Sequence, residues 1–277
     1  DWLVVDHYAR DEKGEGYLRP YVKKIMVIDD LADRLHDCDL LLDQNFYENL
    51  ESRYDDLVLP GCNKLLGPKY ALLRPEFREA RKNLRKRDRC VKRIMIFFGG
   101  SDQTNETSKT LQAIRMLNRQ DIAVDVVIGA LNPHRKVIEQ MASDMPGCNC
   151  HFNVEDMAVL ISKADLAVGA GGITVWERCT LALPSMVITV AENQERTVLD
   201  MAESGYLLFL GQSETVLVDS IYHVLKTVLQ SPWLLISFAR KTLSLVDCKG
   251  AKRIAQEVMP VAITLRMAPV DDCKTIY

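Results

Sequence analysis

Two glycine pairs and one glutamate carry the clearest chemistry in this chain. Gly171-Gly172 is followed by Ile173-Thr174 and, one turn on, by Glu177. Glycines can adopt φ > 0 and let backbone approach a ligand closely, as a phosphate cradle needs. A helix opening after such a turn points free N–H groups at an anion. Glu177 then has two readings. Thr174-Val175-Trp176-Glu177 fits a capping box, in which the glutamate bonds back to the first amide of the helix. In the other reading its carboxylate accepts from the two hydroxyls of a ribose. Spacing alone leaves both open. The second pair, Gly99-Gly100, runs into Ser101-Asp102, and a third polar turn is Ala191-Glu192-Asn193-Gln194. Glycine turns at helix N-termini suit a diphosphate held by backbone amides and helix dipoles. Neither G-x-G-x-x-G nor G-x-x-x-x-G-K-[ST] occurs, so there is no dinucleotide fingerprint and no Walker loop. Asp6-His7-Tyr8 follows an apolar run and is either chemistry at a strand end or a loop that caps the next helix.

Elements must place these turns. Leu3–Val5, Lys24–Ile28 and Leu40–Leu42 read as strands, the second ending in Asp29-Asp30 and the third in Asp43-Gln44-Asn45. The polar segment Leu31–Asp39 is too short for a core helix. Arg78–Lys92 is rich in Arg and Lys and reads as a solvated helix plus linker. Beyond it, apolar runs at Ile94–Phe98, Val124–Ile128, Cys150–Phe152, Leu166–Val168, Met186–Val190 and Tyr206–Leu210 alternate with helical stretches. Such alternation predicts a parallel sheet with right-handed crossovers. The fold class expected is α/β, with residues 1–85 the remnant of a first Rossmann-like domain plus linker. Residues 86–260 form a complete second Rossmann-like domain with trailing helices. Residues 261–277 begin a further domain.

Composition narrows the function. Of the 277 residues 26% are charged and the net charge is −3, so no nucleic-acid or anionic-membrane surface is expected. No apolar run is long enough to span a bilayer. The eight cysteines form no framework, and Cys148-Asn149-Cys150-His151 lacks a second ligand pair, so it reads as strand packing in a reducing cytoplasm. No metal or cofactor is expected. The chain begins at Asp1 and at once enters a buried strand, which reads as a fragment without its upstream strands.

Several segments together resemble one family: Asp6-His7-Tyr8, Asp29–Asn45, Gly67–Phe77, Gly99–Asp102, Gly169–Cys179 and Ala191–Gln194. They look like the UDP-2,4-diacetamido-2,4,6-trideoxy-β-L-altropyranose hydrolase of pseudaminic acid biosynthesis, which serves flagellin glycosylation and is related to the MurG-type GT-B glycosyltransferases. The resemblance runs from Asp1 to about Pro260. It implies a GT-B-like pair of Rossmann-like domains with a UDP-sugar in the cleft. Diphosphate would sit at Gly171, Gly172, Ile173 and Thr174, ribose at Glu177 and uracil on the loop from Phe152 to Met157. Gly99, Gly100, Ser101, Asp102 and Gln194 complete the substrate-binding set. Tyr8 and Asn193 match positions that face the sugar and the attacking water.

The departures are informative. The family opens with a G-T-G-H-x-x-R loop whose histidine is its proposed base, and no such loop occurs among residues 1–277. His7, His36, His134, His151 and His223 all lie elsewhere; Asp6 and His7 are weak substitutes. Ile173 stands where many relatives carry Ser. The tail from Ile263 resembles the start of a GNAT-type acetyltransferase, a possible fused or associated partner. The implied reaction is water attack on the anomeric carbon of a UDP-linked amino sugar. It needs donors for the departing diphosphate and a base for the water. The chain is therefore expected to bind UDP and to be inactive as it stands. Two other readings remain: a GT-B glycosyltransferase using the same donor site, and a non-catalytic module supporting an acetyltransferase.

Overall fold

Apolar runs, many of them β-branched, become strands buried on both faces, and the chain gathers them into two parallel sheets. The computed structural model describes residues 1–87 and 90–259. The first sheet holds β1 (Trp2–Val5), β2 (Lys24–Ile28), β3 (Leu40–Asp43) and β4 (Asn63–Leu66), in that order. Its register pairs Val4 with Met26, Val27 with Leu41 and Leu42 with Leu65. Helix α1 (Glu12–Leu18) follows β1, capped by Asp11, whose side chain accepts from the Gly14 amide. Leu31–Asp39 forms no helix, as its polarity predicts.

The second sheet runs β10-β9-β8-β5-β6-β7. Its strands are β5 (Arg93–Phe97), β6 (Ala123–Ile128), β7 (Cys148–Phe152), β8 (Leu166–Ala170), β9 (Ser185–Thr189) and β10 (Leu208–Gln212). Ile94 and Ile96 of β5 face one apolar cluster, Met95 the other, as the period of two requires of a strand covered on both sides. From β5 the chain lays β6 and β7 to one side, then returns to lay β8, β9 and β10 on the other. The direction of winding reverses between β5 and β8, and their carboxyl ends open on a crevice there.

Helix α2 (Pro75–Lys82) starts with proline in its first turn and buries Phe77 completely among Met95, Val127, Met157 and Ile161. The basic segment is largely solvated, as expected, with Lys82, Asn83, Arg85 and Lys86 exposed, yet three of its arginines reach backbone carbonyls. Arg81 donates to the carbonyls of Thr180, Leu243 and Val246. Arg85 and Arg87 donate to those of Ser162, Lys163, Ala164, Leu181 and Ala182. These carbonyls lie at the ends of α5 (Met157–Lys163), α6 (Thr174–Thr180) and the later helix Pro232–Leu245, where a helix leaves its last acceptors unpaired. The basic run caps them.

Helices α3 (Glu106–Leu117), α4 (Arg135–Ser143), α7 (Glu195–Glu203) and α8 (Val218–Leu229) complete the second unit, and α9 (Pro232–Leu245) follows. Then α10 (Gly250–Val258) returns to the first sheet, where Ile254 packs with Met26, Leu40, Leu42 and Leu65. A Cβ at Gly250 would lie 2.3 Å from the Ala71 carbonyl oxygen, so only glycine lets α10 cross the linker this closely. The Cys148–His151 cluster lies on β7, with Cys148 and Cys150 against the core and His151 bonded to Asp125 at 2.8 Å. Among the described residues no helix is long and apolar enough to cross a membrane. The stretch from Ile263, expected to begin another domain, lies outside the described residues.

Candidate functional site

The carboxyl ends of both sheets face one cleft of about 370 Å³. From the first sheet come Asp6, His7 and Tyr8 after β1, Asp29 and Asp30 after β2, and Gln44 and Asn45 after β3. From the second come Gly171, Gly172 and Ile173 after β8, then Asn193 and Gln194 after β9.

The two sides meet at one carboxylate. Asn193 Nδ2 donates to Asp30 Oδ2 at 3.2 Å and to the Tyr8 hydroxyl at 3.3 Å. Tyr8 in turn donates to Asp30 Oδ2 at 3.3 Å. With its N–H groups turned to Asp30, the Asn193 amide has its oxygen left as an acceptor. Burial pushes the Asp30 carboxyl above the usual carboxylate range, against the opposing bonds from Asn193 and Tyr8. Asp30 Oδ1 is buried without a partner among the described residues. Its carbonyl is fixed by the Tyr47 hydroxyl and by Arg53, each at 3.0 Å.

Behind Asp30 lies a buried acidic layer. Asp29 accepts from Arg34 at 2.8 Å, and Tyr54 Oη stands 3.0 Å from both Asp29 Oδ2 and Asp43 Oδ2. One phenolic proton cannot serve both carboxylates at once. Burial raises the Asp43 carboxyl to about 6 despite the Asn45 amide, Tyr54 and the Arg53 guanidinium. Arg53 is itself held over the Tyr47 ring, 3.6 Å from its centroid.

Crowding, not φ, requires glycine at 171, while a Cβ at Gly172 would meet nothing nearer than 3.6 Å. Neither Gly171 nor Gly172 has positive φ; Gly99 does, at 87°. A Cβ on Gly171 would lie 2.5 Å from Val198 of α7. Gln194 pins the turn, its Oε1 accepting from the amides of Gly171 and Val190, each at 3.2 Å. The Gly172 and Ile173 amides have no acceptor among the described residues.

Other expected residues fall outside the cleft lining. The capping-box reading of Glu177 is corrected: α6 begins at Thr174, its N-cap is Ile173, and no side chain caps it. Instead Glu177 lies 3.7 Å from Arg74, which also donates to the Glu155 carbonyl at 3.1 Å, and burial pushes its carboxyl up against the Arg74 charge. That places Glu177 and the loop before α5 around one guanidinium. Asp102 caps α3, accepting from Glu106 N at 2.9 Å and Thr107 N at 3.2 Å, so both its oxygens are engaged. Gly99 and Ser101 flank Gly100, whose carbonyl accepts from Leu131 at 3.0 Å. The Phe152 ring is covered by Arg135 at 3.6 Å, and the Met157 side chain is buried in the core beside Phe77. Thr174 faces a small internal cavity with Arg178.

Asp30 was legible yet unassigned. It is a polar residue at the carboxyl end of a strand, the rule that selects Asp6–Tyr8. Arg53 and Tyr54 carry no such signal, because they reach the site from a turn-rich segment. His7 lines the cleft but accepts the Ala9 amide at Nδ1, 3.0 Å away, so its neutral ring carries its proton on Nε2.

No family model matches the sequence. The chain is 30% identical over 189 residues to the spore coat polysaccharide biosynthesis protein SpsG of Bacillus subtilis, covering 68% of this chain and 56% of that protein. It therefore spans little more than half the length of that relative. It is 29% identical over 206 residues to the UDP-2,4-diacetamido-2,4,6-trideoxy-β-L-altropyranose hydrolase of Campylobacter jejuni, covering 74% of this chain and 72% of that protein. Among solved structures, MurG of Acinetobacter baumannii superposes with a TM-score of 0.61 at 14% identity, over 90% of this chain and 70% of that one, and so shares the fold. The chain thus resembles both SpsG and the C. jejuni hydrolase in sequence, and it has the MurG-like GT-B fold.

Proposed function

We propose that this chain binds a UDP-linked diacetamido-trideoxy sugar in the cleft, and that the reaction of its family site is hydrolysis to UDP and the free sugar, for pseudaminic acid biosynthesis. One observation carries the reading: Asn193 and Tyr8 converge on Asp30 from opposite sheets, beside a turn whose Gly172 and Ile173 amides lack acceptors. The two amides serve the departing diphosphate, where donors aimed at developing charge act most strongly. Glu177 takes the ribose hydroxyls. The Asn193 oxygen and the Tyr8 hydroxyl hold the water and the sugar, with Asp30 fixing both.

Among the described residues, neither His7 nor Asp6 is well placed as the base. His7 uses Nδ1 as an acceptor, and the exposed Asp6 carboxylate makes no hydrogen bond among the described residues. The chain on its own therefore binds UDP and turns over poorly. Calorimetry with UDP, on the chain and on Glu177→Ala, tests the binding. Strong weakening in the variant supports the donor site, and no binding by a folded chain refutes it. Robust UDP release from the UDP-sugar would refute the slow turnover. Release that depends on an added acceptor would turn the reading to a glycosyltransferase.

A further inference from the structure

Beneath the glycine turn lies a buried cation that feels the charge of its chain neighbour Glu177 but forms no ion pair with it. Arg178 is 3% exposed, and among the described residues no carboxylate comes within ion-pair distance of it. Its one hydrogen bond runs from Nη2 to the Ala170 carbonyl at 2.6 Å, and Nε is buried without a partner. Burial lowers its pKa only to about 10, so it keeps its charge at neutral pH. Buried charges are ordinarily paired, because desolvating a lone ion is costly. The fold makes room for this one. A Cβ on Gly169 would lie 2.5 Å from Arg178 Nη1 and 2.3 Å from the Phe97 carbonyl oxygen.

Position gives the charge a purpose. Ala170 ends β8 and directly precedes Gly171, and β8 and β5 flank the reversal of winding order. The guanidinium thus sits under the crevice where sheets of this kind hold ligands. Capping one strand carbonyl needs only a neutral donor. A buried guanidinium with a single bond and an orphaned Nε is a poor cap and an available counter-charge.

We propose that Arg178 is the counter-charge of the pyrophosphate seated on the Gly171–Ile173 turn, acting through the Ala170–Gly171 peptide without touching the ligand. It is a positioning residue that makes the site select nucleoside diphosphates over nucleosides. The inference rests on the UDP site proposed above.

The test is calorimetry of the full chain with UDP and with uridine, on wild type, Arg178→Gln and Arg178→Lys. Glutamine keeps a donor for Ala170 and removes the charge; lysine keeps the charge. Wild type should prefer UDP to uridine by at least about tenfold, and Arg178→Gln should lose roughly tenfold for UDP while holding uridine within about twofold. Arg178→Lys should keep UDP within about threefold. If Arg178→Gln does not fold, Arg178→Met takes its place, since an apolar chain of similar length often tolerates such a site. Unchanged UDP affinity in the charge-free variant, equal losses for UDP and uridine, or a wild type with no preference overturns the proposal. Wild type that binds no UDP at all refutes the site itself, a separate failure.

Discussion

The two walls of the cleft differ in what they present, carboxylates on one and free backbone amides on the other. The wall from the first sheet sets Asp29 and Asp43 about the Tyr54 phenol and Asp30 against Tyr8, and burial raises the carboxyls of Asp30 and Asp43. The wall from the second sheet holds the unpaired guanidinium of Arg178 below amides that have no acceptor. A phosphate is repelled by the first wall and attracted by the second. An uncharged sugar or a water finds acceptors on the first. The contrast orients a nucleotide-sugar before any contact specific to uracil or ribose is counted.

Changes that isolate one wall put the contrast at risk. The largest effect should come from Phe77→Ala, which empties the anchor of the linker in the second unit. It should cost about 3–5 kcal/mol in chemical denaturation. If the halves are energetically distinct, probes in the second sheet should report unfolding first; coincident loss in both would blur the contrast. Glu177→Ala comes next. Loss of charged hydrogen bonds to two hydroxyls should weaken UDP by about 30-fold in calorimetry, given about 1.5–3 kcal/mol for bonds to an ionised group. A loss under about threefold would return Glu177 to its partnership with Arg74 alone.

Asp43→Asn tests the acidic wall through pH. Because the folded carboxyl titrates near 6, above its unfolded value, the folded state binds the extra proton and stability falls as pH rises between about 4 and 6. The variant lacks that slope. Its melting temperature relative to wild type should climb across this window and level off above it, reaching at most the equivalent of about 3 kcal/mol for a shift of roughly two units. A difference that does not vary with pH would place the charge elsewhere. Asp30→Asn gives the smallest effect on nucleotide. It should leave UDP within about twofold and reduce the added affinity of a UDP-linked acetamido sugar by several-fold, as loss of one charge-assisted bond network implies. An equal loss for UDP would mean that the two walls do not divide the ligand as stated.

Much of the second sheet could be read in advance, because strands covered on both faces are continuous apolar runs and their ends fall at glycine and polar turns. The reading failed where the partners are distant backbone groups. Nothing local in Arg81, Arg85 and Arg87 says that the carbonyl ends of α5 and α6 wait beside them. The capping box at Thr174 matched in spacing, but the helix takes Ile173 as its N-cap and leaves Glu177 free of that duty. Arg178 was hidden for a related reason. A charged residue on a short helix reads as exposed, and only the missing Cβ of Gly169, nine positions earlier, marks the space it fills.

Where α10 crosses the linker, Gly250 lies against Tyr70 and Ala71. The chain passes between the units twice, and both passages run side by side at this point. Two crossings so close together tie the halves at one point, away from the bonds that Asn193 makes across the cleft. A bulkier residue at 250 would strike the Ala71 carbonyl and push the two crossings apart without touching the cleft.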